Sequence, residues 1–259
     1  MRTDFFFLVY PMMHKLLALV LLVVSGICQA QTPAAHILPD GSTDMYLGAN
    51  FIDGPAYEGS SDRWDHWAFN FQALWSNGVF VSFSKIGIHL SDDPRIEYGP
   101  LLVPPQSNSP RTEGSDPFIG GFCNYTLPYD VQLTTDLVYG TGRDRNDILF
   151  DFGARKLVRV AVHHNVSFAA GMTWANGEYT QLQYGITPQQ ALTSTLPAYA
   201  ASAGIKDVHA GVNWNWELST SWLLNSQVYA THLMGSAAGS PLAERTDNVT
   251  ISTGLAYRF

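Results

Sequence analysis

The chain has 259 residues, a formal net charge of -8, and only 14% charged residues beside 13% aromatics. Soluble domains carry about 25% charged residues, so this composition suits a protein whose outer surface meets lipid. The acidic balance excludes a nucleic-acid partner, which calls for a basic stripe.

The N-terminus reads as an export signal. Lys15 supplies the positive region, with initiation expected at Met12 or Met13, and Leu16 to Val24 is an unbroken apolar run. Cys28-Gln29-Ala30 places small residues where a signal peptidase cuts, so cleavage is expected between Ala30 and Gln31. The run is shorter than the roughly 20 residues of a transmembrane helix. Residues 1–30 are therefore assigned to a signal peptide, 31–44 to a periplasmic N-terminal segment and 45–259 to a barrel domain. Cys123 is then the single remaining cysteine, which leaves no internal disulfide; within an apolar strand it reads as a small packed side chain.

From there the hydrophobic pattern has a period of two, the signature of strands with two different faces. Trp67, Phe69, Phe71, Ala73 and Trp75 oppose His66, Ala68, Asn70, Gln72 and Leu74. Val131, Leu133, Thr135, Leu137 and Tyr139 oppose Gln132, Thr134, Asp136, Val138 and Gly140. Val166, Phe168, Ala170, Met172 and Trp174 oppose Ser167, Ala169, Gly171 and Thr173. The alternation is clearest from Val208 to Leu218, where Val212, Trp214 and Trp216 oppose Asn213, Asn215 and Glu217, and from Asn248 to Phe259.

Predicted strands are 45–52, 65–75, 79–87, 95–102, 117–126, 130–140, 147–157, 166–175, 207–218, 221–232 and 248–259. That count is odd, whereas a single-chain bacterial barrel needs an even one. Either a strand near Glu178 to Ile186 is missing from the list or one strand does not span. The prediction is thus an all-β, antiparallel transmembrane β-barrel of about 10–12 strands, as a single domain. The strands reach the roughly 9–11 residues that a tilted membrane strand needs. Trp64, Trp67, Trp75, Tyr139, Trp174, Trp222 and Tyr257 lie near strand ends, as in aromatic girdles.

Connections alternate between short and long. Asn77-Gly78 reads as a two-residue hairpin turn, and Leu127 to Asp130, Val162 to Asn165 and Leu218 to Ser221 are also tight. Long segments lie at Ile52 to Asp62, Val103 to Pro117, Asn176 to Lys206 and Met234 to Asp247. Thr187 to Thr193 is expected to form one or two helical turns. Short turns are expected to face the periplasm and long loops the outside.

No catalytic, cofactor or metal site is expected, and the chain is read as a non-enzyme. His163-His164 cannot chelate one metal, because adjacent strand residues point to opposite faces. Ser60, Ser61, Asp62, Asp65 and His66 cluster near one rim but match no triad spacing. Arg143 and Arg145, at a charged hairpin tip, are candidates for lipopolysaccharide phosphates, although a solvated loop is the favoured reading. The candidate lumen-lining residues are Gln72, Gln132, Asn213, Asn215, Glu217 and Gln227, with few bulky charges. These would suit a narrow channel for small polar solutes or antibiotics.

The chain ends Gly254-Leu255-Ala256-Tyr257-Arg258-Phe259. Leu255, Tyr257 and Phe259 share one face of the last strand, a pattern similar to the C-terminal signal read by the barrel-assembly machinery. An apolar edge strand must be captured before it aggregates. Together with the export signal, this predicts a location in the outer membrane of a Gram-negative bacterium, in contact with lipid and lipopolysaccharide.

Several stretches carry a family likeness: Tyr57-Glu58-Gly59-Ser60, Tyr98-Gly99-Pro100-Leu101, Met172 to Gln190 (MTWANGEYTQLQYGITPQQ), Leu196-Pro197-Ala198-Tyr199, and Ser240-Pro241 with Leu255 to Phe259. Through these the whole mature chain resembles the MltA-interacting protein (MipA)/OmpV family of outer-membrane proteins. It departs from the family between Val103 and Gly121. The resemblance implies a monomeric barrel that scaffolds a lytic transglycosylase and a murein synthase. For other members it implies roles in permeability, stress response or adhesion, the last through the 176–206 loop.

Overall fold

The computed structural model describes residues 38–104, 116–142 and 145–259. The expected signal peptide, its cleavage site at Ala30 and Gln31, and Arg143 lie outside the described residues.

The described residues form twelve antiparallel strands in one closed sheet. Each strand pairs with its sequence neighbours, and β1 (Thr43–Pro55) closes the barrel against β12 (Asp247–Arg258) in a register running from Tyr46↔Arg258 to Asp53↔Ile251. Between them run β2 (Arg63–Trp75), β3 (Val79–Ser82), β4 (Ile86–Ile88), β5 (Ile96–Val103), β6 (Phe118–Leu127) and β7 (Val131–Gly140). The circuit continues through β8 (Ile148–Ala161), β9 (His164–Ala175), β10 (Gly204–Glu217) and β11 (Trp222–Leu233). Closure leaves the sheet without a free lateral edge strand.

The odd predicted count has a local cause. The stretch read as one strand over 79–87 is two, β3 and β4, separated by a tight turn. Ser82 fixes that turn: its amide donates to the Lys85 carbonyl at 2.8 Å, and its hydroxyl accepts from the Lys85 amide at 3.1 Å. The missing strand is therefore not near Glu178. That segment is α1 (Gly177–Tyr184), because Asn176 caps it by accepting from the Tyr179 amide at 3.1 Å. The helical turns expected after Thr187 are α2 (Pro188–Thr193), started by a capping box between Thr187 and Gln190 with Pro188 in the first turn. The Asn77-Gly78 hairpin is a three-residue turn over 76–78. Gly78 alone takes positive φ there, at +88°, and a Cβ at Gly78 would meet the His89 carbonyl oxygen at 2.5 Å.

Alternation of burial separates the two faces. On β12, Val249, Ile251, Leu255 and Tyr257 are exposed on the outer face, while Asn248, Ser252 and Ala256 are buried within. Outward aromatics gather near both rims, with Trp67, Tyr139 and Trp174 at the long-loop end and Trp216, Trp222 and Tyr257 at the other. Trp64 departs from the predicted girdle: it faces inward, stacked on His66 with centroids 4.1 Å apart. Cys123 is exposed rather than packed, because it falls on the outer face between Phe122 and Asn124, which line the lumen.

The wall varies in height. β2 pairs with β3 only over Gln72 to Leu74, so among the described residues its Arg63–Phe71 half has a ladder partner on the β1 side alone. The β3–β4 tip reaches inward there, and Lys85 forms an ion pair with Asp136 of β7.

Candidate functional site

The inner face holds a cavity of about 470 Å³, within the range of small-molecule sites. Its charged wall is built at a bulge. The register of β10 against β9 shifts between Ile205 and Asp207, so Lys206 and Asp207, adjacent in sequence, are both buried. A bulge re-aims side chains in this way by breaking the two-residue period.

Lys206 Nζ lies 2.6 Å from Glu58 Oε1 and 2.7 Å from Asp207 Oδ2. Glu58 also accepts from the Tyr184 hydroxyl at 2.7 Å. Asp207 continues the chain to His209 Nδ1 at 2.9 Å, and the other ring nitrogen of His209 lies 3.7 Å from Asp151. The Thr173 hydroxyl sits 3.1 Å from Asp151 and 3.3 Å from Asp207. Gly171 makes room for the imidazole, since a Cβ there would fall 2.6 Å from His209 Nε2. A row of alternating charges is thus held where an isolated charge would be strongly disfavoured. Burial and the neighbouring Glu58 carboxylate push the Tyr184 hydroxyl well above its ordinary pKa.

Strands β5 to β8 contribute apolar lining, from Leu101, Val103, Phe122, Val138 and Leu149. This lining corrects the expected lumen of amides with few bulky charges. It carries an aromatic-aliphatic cluster together with charges on several strands, among them Lys85 with Asp136 of β7, Glu97 of β5 and Asp151 and Arg155 of β8.

The candidate lumen residues occupy a different level. Asn213 and Gln227, cross-strand partners of each other, are 1% and 4% exposed, and Ser167 beside Asn213 is 2% exposed. Asn50 and Gln72 are also buried. Asn215 donates to Asn213 at 2.8 Å. Together they pack a polar layer on the short-turn side of the cavity. Gln132 donates to Glu97 at 3.2 Å and accepts from Arg155. Glu217 lies elsewhere, exposed at the short-turn rim and 3.6 Å from His163. His164 is not part of the turn: it starts β9 and stacks on Trp214 and Trp216.

The rim serines do not engage a histidine. The Ser60 hydroxyl accepts from the Asp62 amide at 3.0 Å, and the Ser61 hydroxyl donates to Glu244. Glu244 also accepts from the Ser61 amide at 3.0 Å, and these bonds hold its carboxyl below the ordinary range. The contact joins loop 56–62 to loop 234–246. Ser240 adds a second tie, its hydroxyl donating to the Tyr184 carbonyl at 2.6 Å. At the C-terminus Leu255, Tyr257 and Phe259 all point outward, with Tyr257 edge-on to Trp222 and Phe259.

Sequence reasoning missed Lys206, Asp207 and Asp151. The available signal was Ile205-Lys206-Asp207-Val208, two consecutive charges interrupting an otherwise regular alternation. Glu58 and Tyr184 lie in the stretches that carry the family likeness, and Glu58 contacts both Lys206 and the Tyr184 hydroxyl.

A family model described as MltA-interacting protein MipA matches residues 47–259. No curated protein matches the chain. Among solved structures, it is similar to an outer membrane channel from Pseudomonas putida F1, with 10% identity, 89% of this chain and 100% of that chain covered, and a TM-score of 0.45. The translocator domain of autotransporter NalP from Neisseria meningitidis gives 11% identity, 85% and 90% coverage and a TM-score of 0.45. The NanC porin gives 7%, 84% and 100%, and 0.43.

Proposed function

The chain belongs to the MltA-interacting protein MipA family, and on that premise we propose that it is an outer-membrane barrel that docks murein-remodelling enzymes rather than a porin. One structural observation carries the second half of this reading: the buried layer of Asn213, Gln227, Ser167, Asn50 and Gln72 on the short-turn side of the cavity. A water-filled pore needs a continuous polar path, whereas these side chains are buried from water on the short-turn side of the cavity. The partners are a lytic transglycosylase and a murein synthase on the periplasmic side. The short-turn rim offers them exposed apolar groups, Tyr129 at 87% and Val162 at 77%. The outward Leu255, Tyr257 and Phe259 support recognition by the barrel-assembly machinery. The outer aromatics support contact with lipid, and Arg145 is a candidate contact for lipopolysaccharide.

The test is affinity copurification of the tagged protein from envelopes under mild detergent, followed by planar-bilayer recording of the same sample. Enrichment of a lytic transglycosylase with a silent bilayer is the expected result. Absence of every murein enzyme from the eluate would overturn the docking reading. Discrete conductance steps would instead favour a narrow solute channel, a reading supported by the charged cavity above the polar layer.

A further inference from the structure

We propose that the cavity binds an organic ammonium compound with an apolar body, its cationic head held by Asp151. This site is separate from the docking surface and does not depend on that reading.

The sign of the charge comes first. Five carboxylates line the cavity, those of Glu58, Glu97, Asp136, Asp151 and Asp207, against three cations, Lys85, Arg155 and Lys206. Even with the His209 imidazole, which faces Asp207 and Asp151, counted as a fourth cation, the lining of described residues carries more negative than positive groups, which favours a cation. The cations are also engaged. Lys206 is held between Glu58 and Asp207, and Lys85 is paired with Asp136. Asp151 differs, since among the described residues its polar contacts are the Thr173 hydroxyl at 3.1 Å and His209 at 3.7 Å.

An independent observation points to an occupant. Asn248 lines the same cavity and is 8% exposed, yet neither its amide nitrogen nor its amide oxygen has a hydrogen-bond partner. Buried amides are normally paired, so this one calls for a polar group from whatever fills the cavity. The walls fix the rest of the ligand. Leu101, Phe122, Val138 and Leu149 offer an apolar seat. A ligand that is cationic at one end and apolar at the other satisfies both the carboxylates and the apolar seat, whereas an anion with the same body satisfies only the seat.

The probes are phenethylammonium, neutral phenethyl alcohol and 3-phenylpropanoate. Each is titrated by calorimetry into the folded mature protein in uncharged maltoside micelles, with empty micelles as the blank. Phenethylammonium is expected to bind saturably at one site, with the alcohol and the carboxylate at least tenfold weaker. Asp151→Asn should weaken the ammonium at least tenfold. Ala169→Phe, which adds bulk to the cavity from β9 beside Arg155 and leaves every lining carboxylate in place, should abolish binding, so the idea stays testable if the first variant folds poorly. Equal affinity for the alcohol, an Asp151→Asn variant that binds as well as wild type, or no saturable binding of phenethylammonium would each overturn the proposal.

Discussion

Lys206→Met tests whether the ion pairs on the inner wall hold the long-loop end of the barrel together. The Lys206 side chain is 8% exposed, Glu58 17% and Asp207 4%, so water screens these contacts weakly. Removing one partner of a buried pair costs about 3–5 kcal/mol, because the other charge stays buried without its counter-ion. Here two carboxylates lose their cation, but each keeps another donor: Tyr184 for Glu58, and His209 with Thr173 for Asp207. That places the expected loss at the lower end, about 3 kcal/mol. With a urea slope of about 1–3 kcal/mol/M, the midpoint should fall by about 1–3 M. The assay is urea titration in lipid vesicles, followed by gel mobility before and after boiling. A triple variant that adds Glu58→Gln and Asp207→Asn should recover more than half of the loss, since it leaves no orphaned charge. An unchanged midpoint for Lys206→Met, or a triple variant no more stable than the single one, would refute the reasoning.

Other expectations follow from single contacts. Cys123 faces outward, so a charged maleimide should label it in detergent but not in vesicles, while a lipid-dissolved quencher should reach a fluorophore attached there. Gly171→Ala places a Cβ 2.6 Å from His209 Nε2 and 2.8 Å from the Phe152 carbonyl oxygen. Overpacking of this kind costs about 1–3 kcal/mol, read as a lower urea midpoint. The Glu244 carboxyl titrates below its ordinary value because Ser61 donates to its charged form. Its contribution is therefore complete above the unfolded carboxylate range and is lost as pH falls through the depressed folded value. Protease nicking of the 56–62 loop should rise on acidification in the wild type, whereas Glu244→Gln should be nicked equally at both pH values.

The parts of the fold that were legible are those where one physical rule dominates. The two-residue alternation from Val208 to Leu218 and from Asn248 to Phe259 reports which side chains face outward, because hydrocarbon strongly favours apolar side chains there, with Thr253 an exception that bonds its neighbour Ser226. Long strands announce themselves in this way, and short ones do not. β3 and β4 are too brief for a period to establish itself, and the Ser82–Lys85 bonds that separate them are specific to that turn. α1 shows no helical signature in the sequence because its buried residues, Tyr179, Thr180, Gln183 and Tyr184, include polar ones and form no clear apolar stripe.

The inner face obeys a weaker constraint, which explains why the site escaped. Outside, hydrocarbon admits few side-chain types; inside, any polar group is acceptable if another strand supplies its partner. Lys206 would be a poor buried residue on its own evidence. It is acceptable because Glu58 comes over from the loop after β1 and Asp207 turns inward at the bulge. The first condition depends on barrel closure, which brings the first loop beside the tenth strand, and the second is local to the β9–β10 pair. The same closure also separates two kinds of polar interior. The Asn213–Gln227 layer is neutral and buried. The charges from Glu58 to Asp151 instead border open volume, where a ligand can make contacts that the protein alone leaves unmade. The second is the feature whose presence calls for a function of its own.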